Sequence, residues 1–460
     1  MGKVKLKNFY FFCFSWIVAI LTIIIYYSHY NIKPSRGILA VIYSFFSSYT
    51  MIYTLAHVER QIKNNKISLV SIFLLITVLY NQNALTKFCV EKLFDGYIDI
   101  GSLRIAGSIF VDVIIIIAAS KYRNFGEDVT YTASFEELFK YKKTATLFIY
   151  CMIIIYMILK IQQLHVGLNY SRLQSTIVNV IAYVVYFLVA LNIYLYKNTR
   201  IIAYFPFFIV TVLQTVTAVK TGGKAIIIVF FLVVAIELVY LGCIHFEILE
   251  LGFCISPIVL QIVTVITESI SGRMRFFSDE YVLQYHAFRY DLSDFALSIA
   301  LKHQMSPYVI KVIKESVVYA IPGYSIDIKR EILSNGAYIQ QLESMGFPKY
   351  DIYGTLSDFN DSIFSIGAQI GGIIGIPFMY FALVFFWDWL SKMLCKSRYG
   401  RVLIMVLIAP CALVECDLKM LLFSIRDIAV IIAVSYLIIK VLCRDILLIR
   451  LGRVARRMNK

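Results

Sequence analysis

Phe9-Tyr-Phe-Phe-Cys-Phe-Ser-Trp-Ile-Val-Ala-Ile-Leu-Thr-Ile-Ile-Ile-Tyr-Tyr-Ser28 runs without a charge, directly after Lys3, Lys5 and Lys7. A bilayer core of ~30 Å takes about 20 apolar residues in a helix, so this stretch reads as a membrane span. The lysines before it would also suit a secretory leader. The apolar core is too long for one, and no small-residue cleavage site follows Tyr26-Tyr-Ser-His29, so the span is expected to be retained. The whole chain repeats the pattern. It has 460 residues, 60% hydrophobic and 16% charged, with a mean hydropathy of +0.76. Soluble domains carry about 25% charged residues. The sequence therefore specifies an all-α, polytopic membrane protein. Its net charge of +15 falls in loops between spans, which excludes nucleic acid as the partner.

The same reading places spans at 9–28, 38–57, 67–86, 103–120, 144–161, 176–196, 201–218, 225–241, 249–267, 363–390, 402–418 and 420–440, twelve in all. Basic residues alternate between successive connections. With the N-terminus inside, the inner segments hold Arg60, Lys63 and Lys66; Lys121, Arg123, Lys140, Lys142 and Lys143; Lys197 and Arg200; Lys392, Lys396, Arg398 and Arg401. The tail holds Arg444, Arg450, Arg453, Arg456, Arg457 and Lys460. The short outer loops hold far fewer. The positive-inside rule then puts both termini in the cytoplasm. Three regions follow: residues 1–268 with nine spans, a large outer loop at 269–363, and residues 364–460 with three spans and a basic tail. Ser134 to Lys143 reads as an interfacial amphipathic helix whose basic end meets anionic lipid. The nine cysteines form no CxxC pair and no metal spacing, so neither a structural disulfide nor zinc is expected.

The outer loop is long, mostly polar and structured. Val309, Val312, Ile313, Ser316, Val317 and Ala320 share one helical face, with Lys311, Lys314 and Glu315 elsewhere; Pro322-Gly323 ends that helix. A second helical stretch runs from Asp327 to Met345. The next span carries Gly367, Gly371 and Gly375 four residues apart, a spacing that lets helices approach closely.

The loop also holds the residues suited to chemistry. Arginine is always charged and presents a planar fork to phosphate oxygens. Arg273 and Arg275 stand two apart at a span's exit, on one side of an extended segment, and Arg289 follows. Lys220 and Lys224 flank a Thr-Gly-Gly turn that opens a helix, where free amides and the helix dipole favour anions; snorkelling at the interface is the alternative role for both lysines. Glu280 and His286, with Glu268, Asp279, Asp291 and Asp294, are the candidate acids and bases. Within the spans Asp112, Glu237, Asp388, Glu415, Arg426 and Asp427 are ionisable, and such residues face a cavity or a partner. Glu237 stands near a span end and is expected to reach the interface. Arg426 serves either as an anion ligand or as the partner of Glu415 or Asp417. No HExxH, Ser-His-Asp order or metal-ligand spacing occurs.

Twelve spans with both ends inside and one large late loop give the plan. Thr221-Gly-Gly-Lys224, Ile321-Pro322 followed by Lys329, and Leu356-Ser-Asp-Phe-Asn-Asp-Ser362 leading into the glycine-bearing span stand within it. In these features the chain resembles the O-antigen polymerase (Wzy-type) family, the oligosaccharide repeat-unit polymerases. Lys224 departs from the arginine usual at that turn. The resemblance implies a metal-independent glycosyltransferase of the bacterial inner membrane with no cofactor. Its substrates would be undecaprenyl-diphosphate-linked oligosaccharides, and its associates membrane lipids and the chain-length regulator and flippase of the same pathway. On that reading Arg273, Arg275, Glu280 and His286 are catalytic, and Lys220, Lys224, Arg289 and Arg426 bind diphosphate or glycan. Three alternatives stand beside it: an O-antigen ligase, a lipid-linked oligosaccharide flippase and a non-enzymatic member of the export machinery. An O-antigen ligase would carry a histidine motif in the loop that His286 and His303 lack. A lipid-linked oligosaccharide flippase would show two matching halves and short loops throughout.

Overall fold

A computed structural model describes residues 2–30, 34–64, 68–83, 101–122, 142–166, 172–221, 225–271, 308–321, scattered positions between 327 and 340, 362–412 except 398, and 418–443. Every regular element among them is helical. In chain order they are α1 (Gly2–Tyr30), α2 (Pro34–Lys63), α3 (Leu69–Asn83), α4 (Gly101–Tyr122), α5 (Lys142–Val166), α6 (Arg172–Leu195), α7 (Arg200–Thr221), α8 (Ala225–Tyr240), α9 (Phe246–Ser271), α10 (Val309–Ala320), α11 (Ile363–Cys395), α12 (Gly400–Val406) and α13 (Leu418–Cys443).

Seven helices among the described residues are long and apolar enough to cross a membrane: Leu6–Ile25, Ile38–Lys63, Ala145–His165, Thr176–Leu195, Ile201–Lys220, Ile370–Cys395 and Leu421–Lys440. Leu69–Asn83 and Ile227–Tyr240 are shorter apolar helices. Ile201, Phe208, Ile374 and Phe378 stand exposed on the outside of the bundle. Side chains of this kind over so much surface need lipid to cover them. The inside is equally apolar, with Phe73, Tyr156, Phe187, Phe230 and Tyr380 fully buried.

Polar contacts at helix ends fix the relative directions of the helices. Lys7 at the start of α1 pairs with Glu59 near the end of α2 at 2.8 Å and with Glu247 and Glu250 at the start of α9 at 3.1 and 2.9 Å. The Leu69 amide at the start of α3 donates to the Ser391 hydroxyl near the end of α11 at 2.9 Å. Ser68 bonds the Tyr122 hydroxyl at the end of α4. Thr146 near the start of α5 donates to the Tyr196 hydroxyl at 2.8 Å, and Asn192 near the end of α6 donates to the carbonyls of Ile202 and Ala203 in α7. All these ends lie together, so successive helices alternate in direction, as a membrane bundle requires.

The link between α8 and α9 is short because a glycine permits it. Gly242 takes φ 68, the Cys243 amide donates to the Leu238 carbonyl at 2.9 Å and the Gly242 amide to the Val239 carbonyl at 3.0 Å. This pair of bonds closes a helix C-terminus on a left-handed residue.

Two expected spans are not continuous helices. The stretch 402–418 starts as α12, but regular helix stops at Val406 and a 3₁₀ turn follows at Pro410–Ala412. Pro410 has no amide proton and crowds the carbonyl four residues back. All of 402–411 is nonetheless buried, against α3, α6, α11 and α13. The span at 363–390 is likewise broken. Gly371 (φ −134, ψ 17) and Gly372 (φ 63, ψ −147) leave helical geometry, the latter in a region open to glycine alone. The chain reverses there: Phe364 stacks on Tyr380 with ring centroids 5.4 Å apart. A Cβ added at Gly367 would stand 2.6 Å from the Gly375 carbonyl oxygen. Gly367 and Gly375 serve close approach, as expected, but within one hairpin formed by a short arm, 363–370, and a long arm, 373–395, whereas Gly371 meets open space.

Candidate functional site

α10 is the described helix of the 269–363 segment, and it is fastened to the bundle at the end opposite Lys7. Val312, Ser316 and Tyr319 are its buried residues, turned toward α13, where Tyr319 meets Phe423 at 6.4 Å. The Arg426 guanidinium completes the joint. It donates to the Ala320 carbonyl at 2.8 Å through Nη1 and to Asp427 through Nε, also 2.8 Å, and Nη2. It lies over the Phe423 ring at 4.0 Å. Ala320 ends α10, and the last carbonyls of a helix lack intrahelical donors and carry partial negative charge. Arg426 therefore works as a cap as well as an ion-pair partner. Thr176 at the start of the Thr176–Leu195 span donates to the other Asp427 oxygen at 3.4 Å, tying α6 into the same joint.

α10 carries a further apolar stripe. Ile310, Ile313, Val317 and Ile321 are exposed, so its burial is rotated relative to the expected face, and Ile313 and Val317 stay uncovered. A stripe of this kind on a surface helix of a membrane protein suits the lipid interface. The helix extends its hold toward residues 336–340: the Ala337 amide donates to Glu315 at 2.6 Å, and Lys311 donates to Gln340 at 3.3 Å.

Inside the bundle lies a polar network drawn from α1, α2, α3, α4 and α9. Tyr43 donates to the Asn81 carbonyl at 2.6 Å, and Asn81 donates to Asp112. Ser47 donates to Gln82 at 2.9 Å, Gln82 reaches Ser15 at 3.3 Å, Ser15 bonds Ser48 at 3.1 Å, and Asn83 reaches Ser256 at 3.3 Å. All of these side chains are buried. Asp388, expected only as an ionisable span residue, pairs with Lys392 at 2.9 Å and accepts from Tyr122 at 3.5 Å. Glu237 does not reach an interface: it is fully buried, and among the described residues neither carboxyl oxygen has a hydrogen-bond partner. Burying such a group without a hydrogen bond carries a considerable cost. At the opposite end the Glu247 carboxyl is held below its ordinary range, first by its own backbone amide and then by Lys7.

The sequence-chosen residues divide sharply. Arg273, Arg275, Glu280, His286, Arg289 and Lys224 lie outside the described residues, as do Glu415, Asp417 and most of 134–143. Lys220 is exposed in the last turn of α7, where a cation complements the carbonyl end of a helix. Arg426 has all three nitrogens on intramolecular acceptors. Sequence reasoning missed the Tyr43–Asn81–Asp112 network, although three amide side chains closing an apolar stretch, Asn81-Gln-Asn83, were the signal. The described cysteines 13, 151, 243, 254, 395 and 411 are free thiols. Among the described residues no three His, Cys, Asp or Glu side chains gather to hold a metal. Compared with family models, with curated proteins and with solved structures, the chain shows no match.

Proposed function

We propose that this chain is a glycosyltransferase that polymerises undecaprenyl-diphosphate-linked oligosaccharide repeat units into a surface polysaccharide. It crosses the bacterial inner membrane twelve times, with both termini in the cytoplasm and residues 269–363 outside. The acceptor unit's terminal hydroxyl attacks the anomeric carbon at the reducing end of the donor glycan, and undecaprenyl diphosphate leaves with the bonding electron pair. Arg273, Arg275 and Arg289, with Lys224 and Lys220, meet the charge that grows on the leaving diphosphate; fixed charges of this kind act most strongly where water is excluded. Glu280 or His286 takes the hydroxyl proton. Apolar surfaces between helices receive the polyprenyl tails.

The observation that carries this reading is α10, a folded helix clamped by Arg426 to one end of the bundle with an uncovered apolar stripe beside it. An enzyme that takes lipid-linked glycans needs a structured element at the lipid surface. A pure transport path does not. The buried Tyr43–Asn81–Asp112 network favours a second reading, a flippase, because polar groups within a bundle also line transport paths. Deleting the gene and separating surface polysaccharide on gels discriminates between them. Loss of the ladder with one repeat unit still attached supports polymerisation. Loss of every repeat unit contradicts it and points to the flippase or the ligase.

A further inference from the structure

A lysine is buried in the bundle without a carboxylate to meet it among the described residues. Ile149, Met152, Ile153, Tyr156 and Lys160 are the buried positions along this part of α5. They recur every three or four residues and so form one stripe of the helix, whereas Ile154, Ile155, Ile158 and Ile161 are exposed away from it. The stripe faces α6 and α7: Gln214 of α7 donates to the Tyr156 hydroxyl at 2.7 Å and to the Tyr186 hydroxyl of α6 at 3.0 Å. Lys160 continues the stripe one turn beyond Tyr156, and no other described lysine or arginine is as buried. Its Nζ donates to Gln163 Oε1 at 2.9 Å. No described carboxylate comes within ion-pair distance of it. The contrast with other cations of the bundle is direct. Lys7 meets Glu59, Glu247 and Glu250, Lys392 meets Asp388, and Arg426 meets Asp427, although all three are more exposed than Lys160.

We propose that Lys160 holds a phosphate group carried by a lipid, at the end of the bundle where α10 is clamped. α5 starts at the Lys7 end, where Thr146 bonds Tyr196, so its last turns lie at the end that holds the Arg426 joint. Val166, where α5 stops, is six residues past Lys160, about 9 Å at helical rise, and the amine reaches one turn that way to Gln163. The charge therefore sits near headgroup depth. Snorkelling along the lipid side does not explain its place, because the side chain lies on the buried stripe. A charge held inside a bundle without a counter-charge is costly, and an ionisable group in a span is ordinarily kept for a partner. An ammonium offers three donors, and Gln163 takes one of them. Gln163 and Leu164 are partly exposed and His165 is exposed, so an anion approaches along the last turn of α5 without crossing the core. At that depth the available anions are lipid phosphates, which basic sites between membrane helices bind. That the phosphate belongs to the diphosphate of a lipid-linked glycan rests on the function proposed above; the anion site does not.

The test uses the full chain in phosphatidylcholine nanodiscs. Farnesyl diphosphate should protect Lys160 from acetylation by acetic anhydride, read by mass spectrometry, and should leave the exposed Lys396 at the opposite end unprotected. Farnesol, which lacks the phosphates, should protect neither. Lys160→Met keeps the length of the side chain and suits the apolar stripe. It should weaken binding of farnesyl diphosphate about ten-fold, the weight of one hydrogen bond to a charged group. If that variant fails to insert, protection in the native chain decides alone. Phosphatidylglycerol mixed into the nanodisc separates the two sources of phosphate. Protection by it without farnesyl diphosphate assigns the site to a bilayer phospholipid; protection by farnesyl diphosphate alone assigns it to the diphosphate. No protection by either, equal protection by farnesol, or equal affinity of native chain and variant for farnesyl diphosphate would overturn the proposal. Polymer formation is measured separately. Its absence while Lys160 is protected would remove the proposed function and leave the anion site; polymer without protection would do the reverse.

Discussion

Arg426 shows how far a single residue could be judged from sequence. An arginine in an apolar span announces a partner, but the partner is Asp427 beside it and the end of a helix more than a hundred residues away. Only folding brings Ala320 there. Arg426→Ala leaves Asp427 and the Ala320 carbonyl short of donors, which costs about 1–3 kcal/mol. The expected outcome is a lower melting temperature and faster proteolysis at α10; an unchanged protease pattern would show that the clamp does not hold the helix. Arg273 and Arg275 belong to the proposed chemistry instead. Replacing either with Ala should cut polymerisation about a hundred-fold at equal protein level, the usual loss when a group opposing developing charge is removed. Lysine should restore part of it, because it lacks the bidentate fork. A full-length polysaccharide ladder with both changed to Ala would remove the pair from the site. Glu237 was the residue least legible in advance. Hydropathy placed it near a span end, and nothing in a one-dimensional pattern reveals that its surroundings are closed and apolar.

At the scale of elements, apolar runs marked the helices and missed the breaks. Mean hydropathy responds to side chains, whereas Gly371–Gly372 and Leu407–Ala412 depart from helix through backbone dihedrals and a missing amide proton. The sequence did hold the cues: a glycine pair inside an apolar run, and Pro410 inside another. The hairpin makes a sharp comparison possible. Gly375→Ala drives a Cβ into the Gly367 backbone, where neither side can yield cheaply, and should cost about 1–3 kcal/mol as overpacking does. Gly371→Ala meets open space at an ordinary φ of −134 and should change stability by less than about 0.5 kcal/mol. Thermal unfolding in detergent measures both. Similar losses for the two variants would mean that close approach of the arms is not what the glycines provide.

For the whole molecule, two independent signals give the same alternation. The distribution of lysine and arginine predicts it, and the bonds from Lys7, Ser391, Tyr122 and Asn192 bring the corresponding helix ends together. The positive-inside rule predicts that the end holding Lys7 faces the cytoplasm. A cysteine introduced at Ser334 should therefore react with an impermeant reagent without permeabilising the inner membrane; reaction only after permeabilisation would invert the orientation. The proposed activity is most directly tested by polymerisation with purified components. The full chain in proteoliposomes, given only lipid-linked repeat units and excess EDTA, should lengthen them into polymer, because on the proposed mechanism Arg273, Arg275, Arg289 and Lys224 meet the charge on the leaving diphosphate. Polymer formed without divalent metal or nucleotide sugar is the predicted result. No polymer from the folded protein, or polymer only after magnesium or manganese is restored, would contradict it.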